Sequence, residues 1–170
     1  MIEPIDVRDL LGRPGASKPY HFESLVEELG TELARVRDDV PVEGELLLEA
    51  LVEGLLVSGT LRGTLSLRCA RCIIEFEQPL AVEVHEMFVP QPEDDTDDYP
   101  LDPDGEIAPD QMIRDAIGVE LPFSPLCRAD CLGLCPVCGG DRNLAECPGH
   151  VEVDPRWEAL QQLAPMLDQN

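Results

Sequence analysis

The sequence predicts an α+β protein: an antiparallel β-meander with flanking helices and a cysteine-rich C-terminal region. Three observations carry this. Residues 42–89 alternate polar and apolar positions between glycines, as half-buried strands do. Met112, Ile113, Ala116 and Ile117 recur at helical spacing. The cysteines come in close pairs, one at a turn of the meander and the others late in the chain.

A chain of 170 residues fits one domain of ordinary size. It divides into a β-rich part over 1–89, an acidic flexible loop over 90–106, and residues 107–170 with a helix, a cysteine cluster and a C-terminal helix. Aromatic residues make up only 4%. The core must therefore be built mainly from Leu and Val, with Phe22, Phe76, Phe88, Phe123 and Trp157 as its few large anchors. A chain this long folds without needing a metal to hold the whole of it.

Residues 1–20 read as a short extended start and then a flexible loop, punctuated by Gly12, Pro14 and Gly15. From His21 to Val36, the spacing of Phe22, Leu25, Val26, Leu29 and Leu33 predicts a helix. Gly30 and Thr31 weaken it, and Leu33–Val36 reads equally as the opening of a strand. Three antiparallel strands follow, at 43–53, 55–68 and 73–88. Gly44, Gly54, Gly59 and Gly63 mark bends or bulges, and Cys69–Cys72 forms the turn between the second and third strands. Residues 90–106 mix four prolines with a run of Asp and Glu, too poor in apolar residues to order themselves. A helix over Pro109–Leu121 ends at Pro122. Asp154 as N-cap and Pro155 at the first helical position open a last helix that buries Trp157, Leu160, Leu163 and Ala164.

The net charge is -23, from 35 acidic and 12 basic residues. Such a surface repels nucleic acid and anionic membrane and favours basic protein partners. No apolar run approaches the ~20 residues that span a bilayer, and the N-terminus lacks the features of a signal peptide. A cytoplasmic location is expected, where thiols stay reduced and seven cysteines favour metal over disulfides.

The pairs are Cys69-x2-Cys72, Cys127-x3-Cys131 and Cys135-x2-Cys138, with Cys147-x2-His150 as a fourth. A tight turn of this spacing aims two sulfurs at one ion, and a closed set of thiolate and imidazole ligands selects Zn²⁺. The C-terminal region is thus expected to bind zinc. Chain proximity groups Cys135, Cys138, Cys147 and His150 into one site, leaving Cys69, Cys72, Cys127 and Cys131 for another. Swapped pairings stay open, as does one site instead of two. Cys69-x2-Cys72 lies at a hairpin turn instead of a helix start, which argues against a redox dithiol. A rubredoxin-like iron site would want two matching turns, and only Cys135-Pro-Val-Cys138-Gly carries the Pro and Gly. No G-x-S-x-G, phosphate-cradling glycine loop or H-E-x-x-H is present, so no enzymatic activity is expected.

The stretch Gly54–Ile74 contains no acidic residue but holds Arg62, Arg68 and Arg71. Arg128 and Arg142 lie within the later cysteine cluster. If the 69/72 and 127/131 pairs meet, Arg68, Arg71 and Arg128 converge into a positive spot suited to RNA phosphate. The plainer reading is that they offset the -2 charge of a Cys₄ zinc site.

Together these motifs resemble the bacterial YceD family, the large ribosomal RNA subunit accumulation proteins. The likeness rests on Cys69-Ala-Arg-Cys72 after a meander, the acidic loop, and Glu120-Leu121-Pro122. It continues through Cys127-x3-Cys131-Leu-Gly-Leu-Cys135-Pro-Val-Cys138-Gly, Asn143-Leu144, Cys147 and Asp154-Pro155-Arg156-Trp157. Cys147-Pro-Gly-His150 departs from the family's closer-spaced second cysteine. The resemblance implies a role in making, processing or stabilising large-subunit (23S) ribosomal RNA, with that RNA or its precursor as partner. Two other readings stand beside it: an acidic chaperone or adaptor for basic ribosomal proteins, and a thiol redox protein.

Overall fold

Two long strands dominate the computed structural model, which describes residues 2–92 and 96–144. Strands β5 (Leu55–Arg68) and β6 (Glu75–Val89) pair antiparallel along their full length, from Leu55 opposite Phe88 to Arg68 opposite Glu75. The other strands are β1 (Ile5–Asp6), β2 (Ser17–Ser24), β3 (Ala34–Val36), β4 (Val42–Ala50), β7 (Tyr99–Pro100) and β8 (Glu106–Ile107). Helix α1 spans Pro109–Glu120. The main sheet runs β2-β4-β5-β6-β7, with β3 also on β5. All its pairings are antiparallel except β6 with β7, which makes the sheet mixed. Among the described residues the chain is mostly β with one short helix, α1, which is the helix expected over Pro109–Leu121. The last expected helix, at Asp154, lies outside the described residues.

The alternation read from the sequence sets the faces. Val42, Leu46 and Leu48 of β4, Leu55, Val57, Leu61, Leu65 and Leu67 of β5, and Leu80, Val82, Val84 and Phe88 of β6 point into one core. Met112, Ile113 and Ile117 of α1 complete it, each fully buried. The helix starts with Pro109 in its first turn and is tied at its N-terminus by Asp110, whose carboxylate accepts from the Ile2 N–H at 3.0 Å and from Arg114 at 2.8 Å. It continues through Gly118 and Val119 before Pro122 stops it.

The helix expected over 21–36 does not form. Residues 17–24 are β2, and 34–36 are β3, the strand alternative for that segment. The cause is long-range. Phe22 lies opposite Gly44, and a Cβ there would overlap its ring, so β4 offers β2 a slot that fits an aromatic side chain. Leu25, which a helix would have buried, is exposed. Gly30, at φ 137°, and Thr31 instead form a turn: the Thr31 Oγ1 accepts from the N–H groups of Leu33 and Ala34 at 3.2 Å.

Three more expectations need correction. Phe123 is not a core anchor; it is 97% exposed. The N-terminal segment is held rather than loose: Ile2, Ile5, Val7 and Leu10 are buried, β1 pairs with β8, and the Gly15 N–H donates to the Ala50 carbonyl at 2.8 Å. The end of the acidic stretch is also held. Tyr99 stacks near Phe88 with ring centroids 5.3 Å apart, and Leu101 is buried. Apolar residues at 99, 101 and 107 supply the anchoring that the carboxylates around them could not.

Two glycine substitutions should separate the slot from general strand propensity. Gly44→Ala should cost about 1–3 kcal/mol, because the methyl group displaces a buried ring. Gly63→Ala places its Cβ no closer than 3.4 Å to Val42 and should be neutral or stabilising by up to about 1 kcal/mol. Urea unfolding of both variants reads the difference.

Candidate metal centre

The turn between β5 and β6 is built by its own backbone. The Cys69 N–H donates to the Ile74 carbonyl and the Ile73 N–H donates back to the Cys69 carbonyl, both at 2.9 Å. Closing this loop puts Ile73 at φ 64°, a left-handed conformation that a β-branched residue rarely takes. The Cys135 turn repeats the pattern: Cys135 N–H to Gly140 carbonyl and Gly139 N–H to Cys135 carbonyl, both 2.8 Å, with Gly139 at φ 70°. The lack of Pro and Gly in the first turn thus does not set it apart. Ile73 holds the position that Gly139 holds in the second.

The segment carrying Cys127 and Cys131 is fastened to this turn. The Ala70 N–H donates to the Pro125 carbonyl at 2.8 Å, the Leu134 N–H to the Arg71 carbonyl at 3.0 Å, and the Arg71 guanidinium to the Cys131 carbonyl at 2.9 Å. Gly133, at φ 72°, lets the two backbones approach: a Cβ there would meet the Arg71 carbonyl oxygen at 2.9 Å.

As a result, Cys69, Cys72, Cys127 and Cys131 place their sulfurs within 4.8 Å of one another. Cys69 and Cys131 are 3.8 Å apart, and Cys72 and Cys127 3.7 Å. A disulfide needs about 2.05 Å. Four thiolates around one ion at about 2.3 Å, in tetrahedral array, stand about 3.8 Å from each other. The donor set therefore fits a tetrahedral metal ion. It is the one such group of three or more candidate ligands among the described residues. It is not strictly C-terminal, since half its ligands come from the hairpin tip.

The thiols differ in acidity. Burial pushes Cys69 up, but the backbone N–H groups of Cys127, Cys72 and Arg71 outweigh it and bring the thiol down to about 6. Cys127 is pushed up to about 12, first by burial and then by the sulfurs of Cys72, Cys69 and Cys131. At Cys72 the Ile74 N–H lowers the pKa, yet burial and the neighbouring sulfurs leave it raised. Four sulfurs this close resist losing every proton unless a cation replaces them.

Asn143 is a contributor that residue spacing did not reveal. Its Nδ2 donates to the Cys131 sulfur at 3.6 Å, while its Oδ1 accepts from the Leu132 N–H at 2.8 Å and from Arg128 at 2.7 Å. Asp141 fixes it by accepting from both its backbone and its side chain. The only hint was the Asn143-Leu144 step within the family motif.

Of the second ligand set, Cys135 is buried and Cys138 exposed. Cys147 and His150 lie outside the described residues. The arginines do not all converge. Arg71 and Arg128 sit at the cluster through Cys131 and Asn143. Arg68 turns to Glu75 at 3.0 Å, and Arg62, well along β5, to Glu45 at 2.9 Å. Arg142 follows Asp141, and its backbone N–H bonds to Gly133.

A family model described as "Large ribosomal RNA subunit accumulation protein YceD" matches residues 57–164, a span that includes all four clustered cysteines. An uncharacterized protein of Mycobacterium tuberculosis is 37% identical over 174 residues, covering 96% of this chain and 83% of its own. One from Mycobacterium leprae is 34% identical, covering 99% and 82%. No solved structure matches.

Metal uptake should expel thiol protons. Affinity should therefore rise with pH and fall in acid, about tenfold per pH unit for each proton released. Chelator competition at two pH values measures this slope; a flat profile would mean the thiols are not the ligands. Ile73→Gly should leave uptake intact and either keep or raise stability, by up to about 1 kcal/mol, since it removes a left-handed strain.

Proposed function

Because the chain belongs to the YceD family of large ribosomal RNA subunit accumulation proteins, we propose that it is a cytoplasmic, zinc-binding factor in the synthesis, processing or stability of large-subunit ribosomal RNA. It acts by binding instead of catalysis. The observation that carries this reading is the overlap of the family match with the cysteine cluster. Zinc is the ion favoured by an all-sulfur donor set with tetrahedral spacing. A second ion held by Cys135, Cys138, Cys147 and His150 completes the proposal. It is supported by the matching backbone of the Cys135 and Cys69 turns.

In this reading the metal fixes Arg71 and Arg128 at the tip of the hairpin, where one side chain already holds the Cys131 carbonyl and the other Asn143. The cluster's negative charge is offset locally, and their remaining N–H groups are presented to RNA. No helix of the described residues is long and apolar enough to cross a membrane.

A second reading is favoured by charge. With 35 acidic residues against 12 basic, and with Arg62 and Arg68 each beside a glutamate, the surface suits a basic ribosomal protein.

The two are separable. Binding to a large-subunit precursor RNA fragment should weaken at least about tenfold in Arg71→Glu, where a charge-assisted contact is lost and reversed. Arg68→Glu should also weaken it. If both variants bind as the parent does, the RNA reading of this surface fails. Tight, salt-sensitive capture of purified basic ribosomal proteins would then favour the adaptor. Elemental analysis should find two zinc ions per chain, and one in Cys72→Ser.

A further inference from the structure

Next to the metal centre, on the outer face of the sheet, β3 and the end of β5 enclose a polar hollow of about 290 Å³ lined by Glu32, Arg35, Ser66, Leu67, Arg68 and Glu75. Its frame is fixed. Arg35 lies opposite Ser66 in the β3–β5 register, and the Arg68 N–H donates to the Leu33 carbonyl at 2.8 Å. Leu67, buried in the core, is its floor, and Cys69 follows Arg68 directly.

The other sheet arginines near it are satisfied internally: Arg37 by Asp39 and Glu77, Arg62 by Glu45, and Arg68 by Glu75. Among the described residues, the Arg35 guanidinium and the Ser66 hydroxyl bond to nothing. A guanidinium left unpaired in so acidic a chain, beside a vacant hydroxyl and a second arginine, is a grip for an external anion. The hollow also faces carboxylates. Glu32 and Glu75 line it, and Glu28 and Asp38 line the adjoining hollow on the other side of Arg35. These disfavour a free, highly charged phosphate. They suit a ligand that brings a single negative charge together with a hydroxyl donor. A ribose carrying a phosphodiester does so, and its 2′-hydroxyl is the feature that separates RNA from DNA. The volume is below that of a pocket for a whole drug-sized ligand, so it fits a backbone unit and not a stacked base.

We propose that this hollow is a ribose–phosphate subsite for RNA: Arg35, Arg68 and the Ser66 hydroxyl take one phosphodiester, and Glu32 accepts from the adjacent 2′-hydroxyl, while Glu75 stays paired with Arg68. The assignment rests on the RNA reading above and deepens it by naming a backbone-reading, sequence-indifferent contact outside the cysteine turns. Arg35 is exposed and makes no internal bond, so replacing it leaves the fold intact.

The test uses the full metal-loaded chain and two probes. The first is a mixed-sequence single-stranded oligoribonucleotide with its deoxy counterpart, followed by fluorescence anisotropy. Arg35→Gln should weaken the RNA complex about tenfold, the scale of one charge-assisted hydrogen bond. Arg13→Gln removes the same charge from another arginine without a bonded partner among the described residues, and should change binding by less than about twofold. Glu32→Ala should narrow the preference for RNA over DNA. Equal losses at Arg13 and Arg35, or a parent that binds the RNA and DNA strands with equal affinity, overturn the subsite. The second probe is the diribonucleoside monophosphate UpU, a single ribose phosphodiester of one negative charge, titrated while the Arg35 side-chain N–H and the Ser66 amide are followed by NMR. Shifts at both support the subsite even if the parent binds no oligoribonucleotide, a result that would defeat only the RNA function. No shift at either overturns the subsite whatever the RNA result.

Discussion

Four sulfur atoms gathered at the tip of one hairpin are the constraint on which the functional end of this protein depends. The β5–β6 hairpin is long, fourteen residues on one strand and fifteen on the other. Among the described residues, bonds from residues 125–134 and the thiols they bring with them fasten its tip to the later part of the chain. Close thiolates repel one another, and burial opposes their charge. The arrangement is therefore costly without a cation and stable with one. A cation held there would also fix the end of β5, and with it the arginines that flank Cys69.

The electrostatic design follows from this. A strongly acidic body would repel RNA at long range, so any RNA contact must be local and shaped. The molecule keeps acid out of the strand that leads to the cluster and places glutamates on its neighbours, where they hold Arg62 and Arg68 in defined positions. Arg71 is held by a carbonyl instead, and Arg128 by an amide with the Asp130 carboxylate 3.4 Å away. Arginines arranged this way give orientation more than attraction.

The parts of the fold legible in the sequence were those governed by local periodicity. The three strands of the meander lie within a few residues of their expected bounds, because their alternation is also their burial. Helix α1 was legible from its apolar stripe and its flanking prolines. The meeting of the Cys69/Cys72 and Cys127/Cys131 pairs was legible because close spacing marks each pair as a ligand turn and chain proximity set the later pairs aside. What local reading missed depends on distant partners. Phe22 belongs to a strand because Gly44, across the sheet, leaves room for its ring. β1, β7 and β8 are two-residue strands whose pairing no window of sequence contains. Asn143 matters because it reaches the Cys131 sulfur, and Phe123 stands in solvent although its side chain is apolar. Ile73 shows the reverse case: a residue without the expected glycine signature in a backbone that glycine would suit.

The central claim is that the 69/72 and 127/131 pairs share one ion. X-ray absorption on the zinc-loaded Cys135→Ser/Cys138→Ser protein tests it most directly, since that variant leaves the four clustered thiols intact. The account expects one zinc per chain with a shell of four sulfurs at about 2.3 Å. A shell containing nitrogen or oxygen, or fewer than four sulfurs, would contradict it.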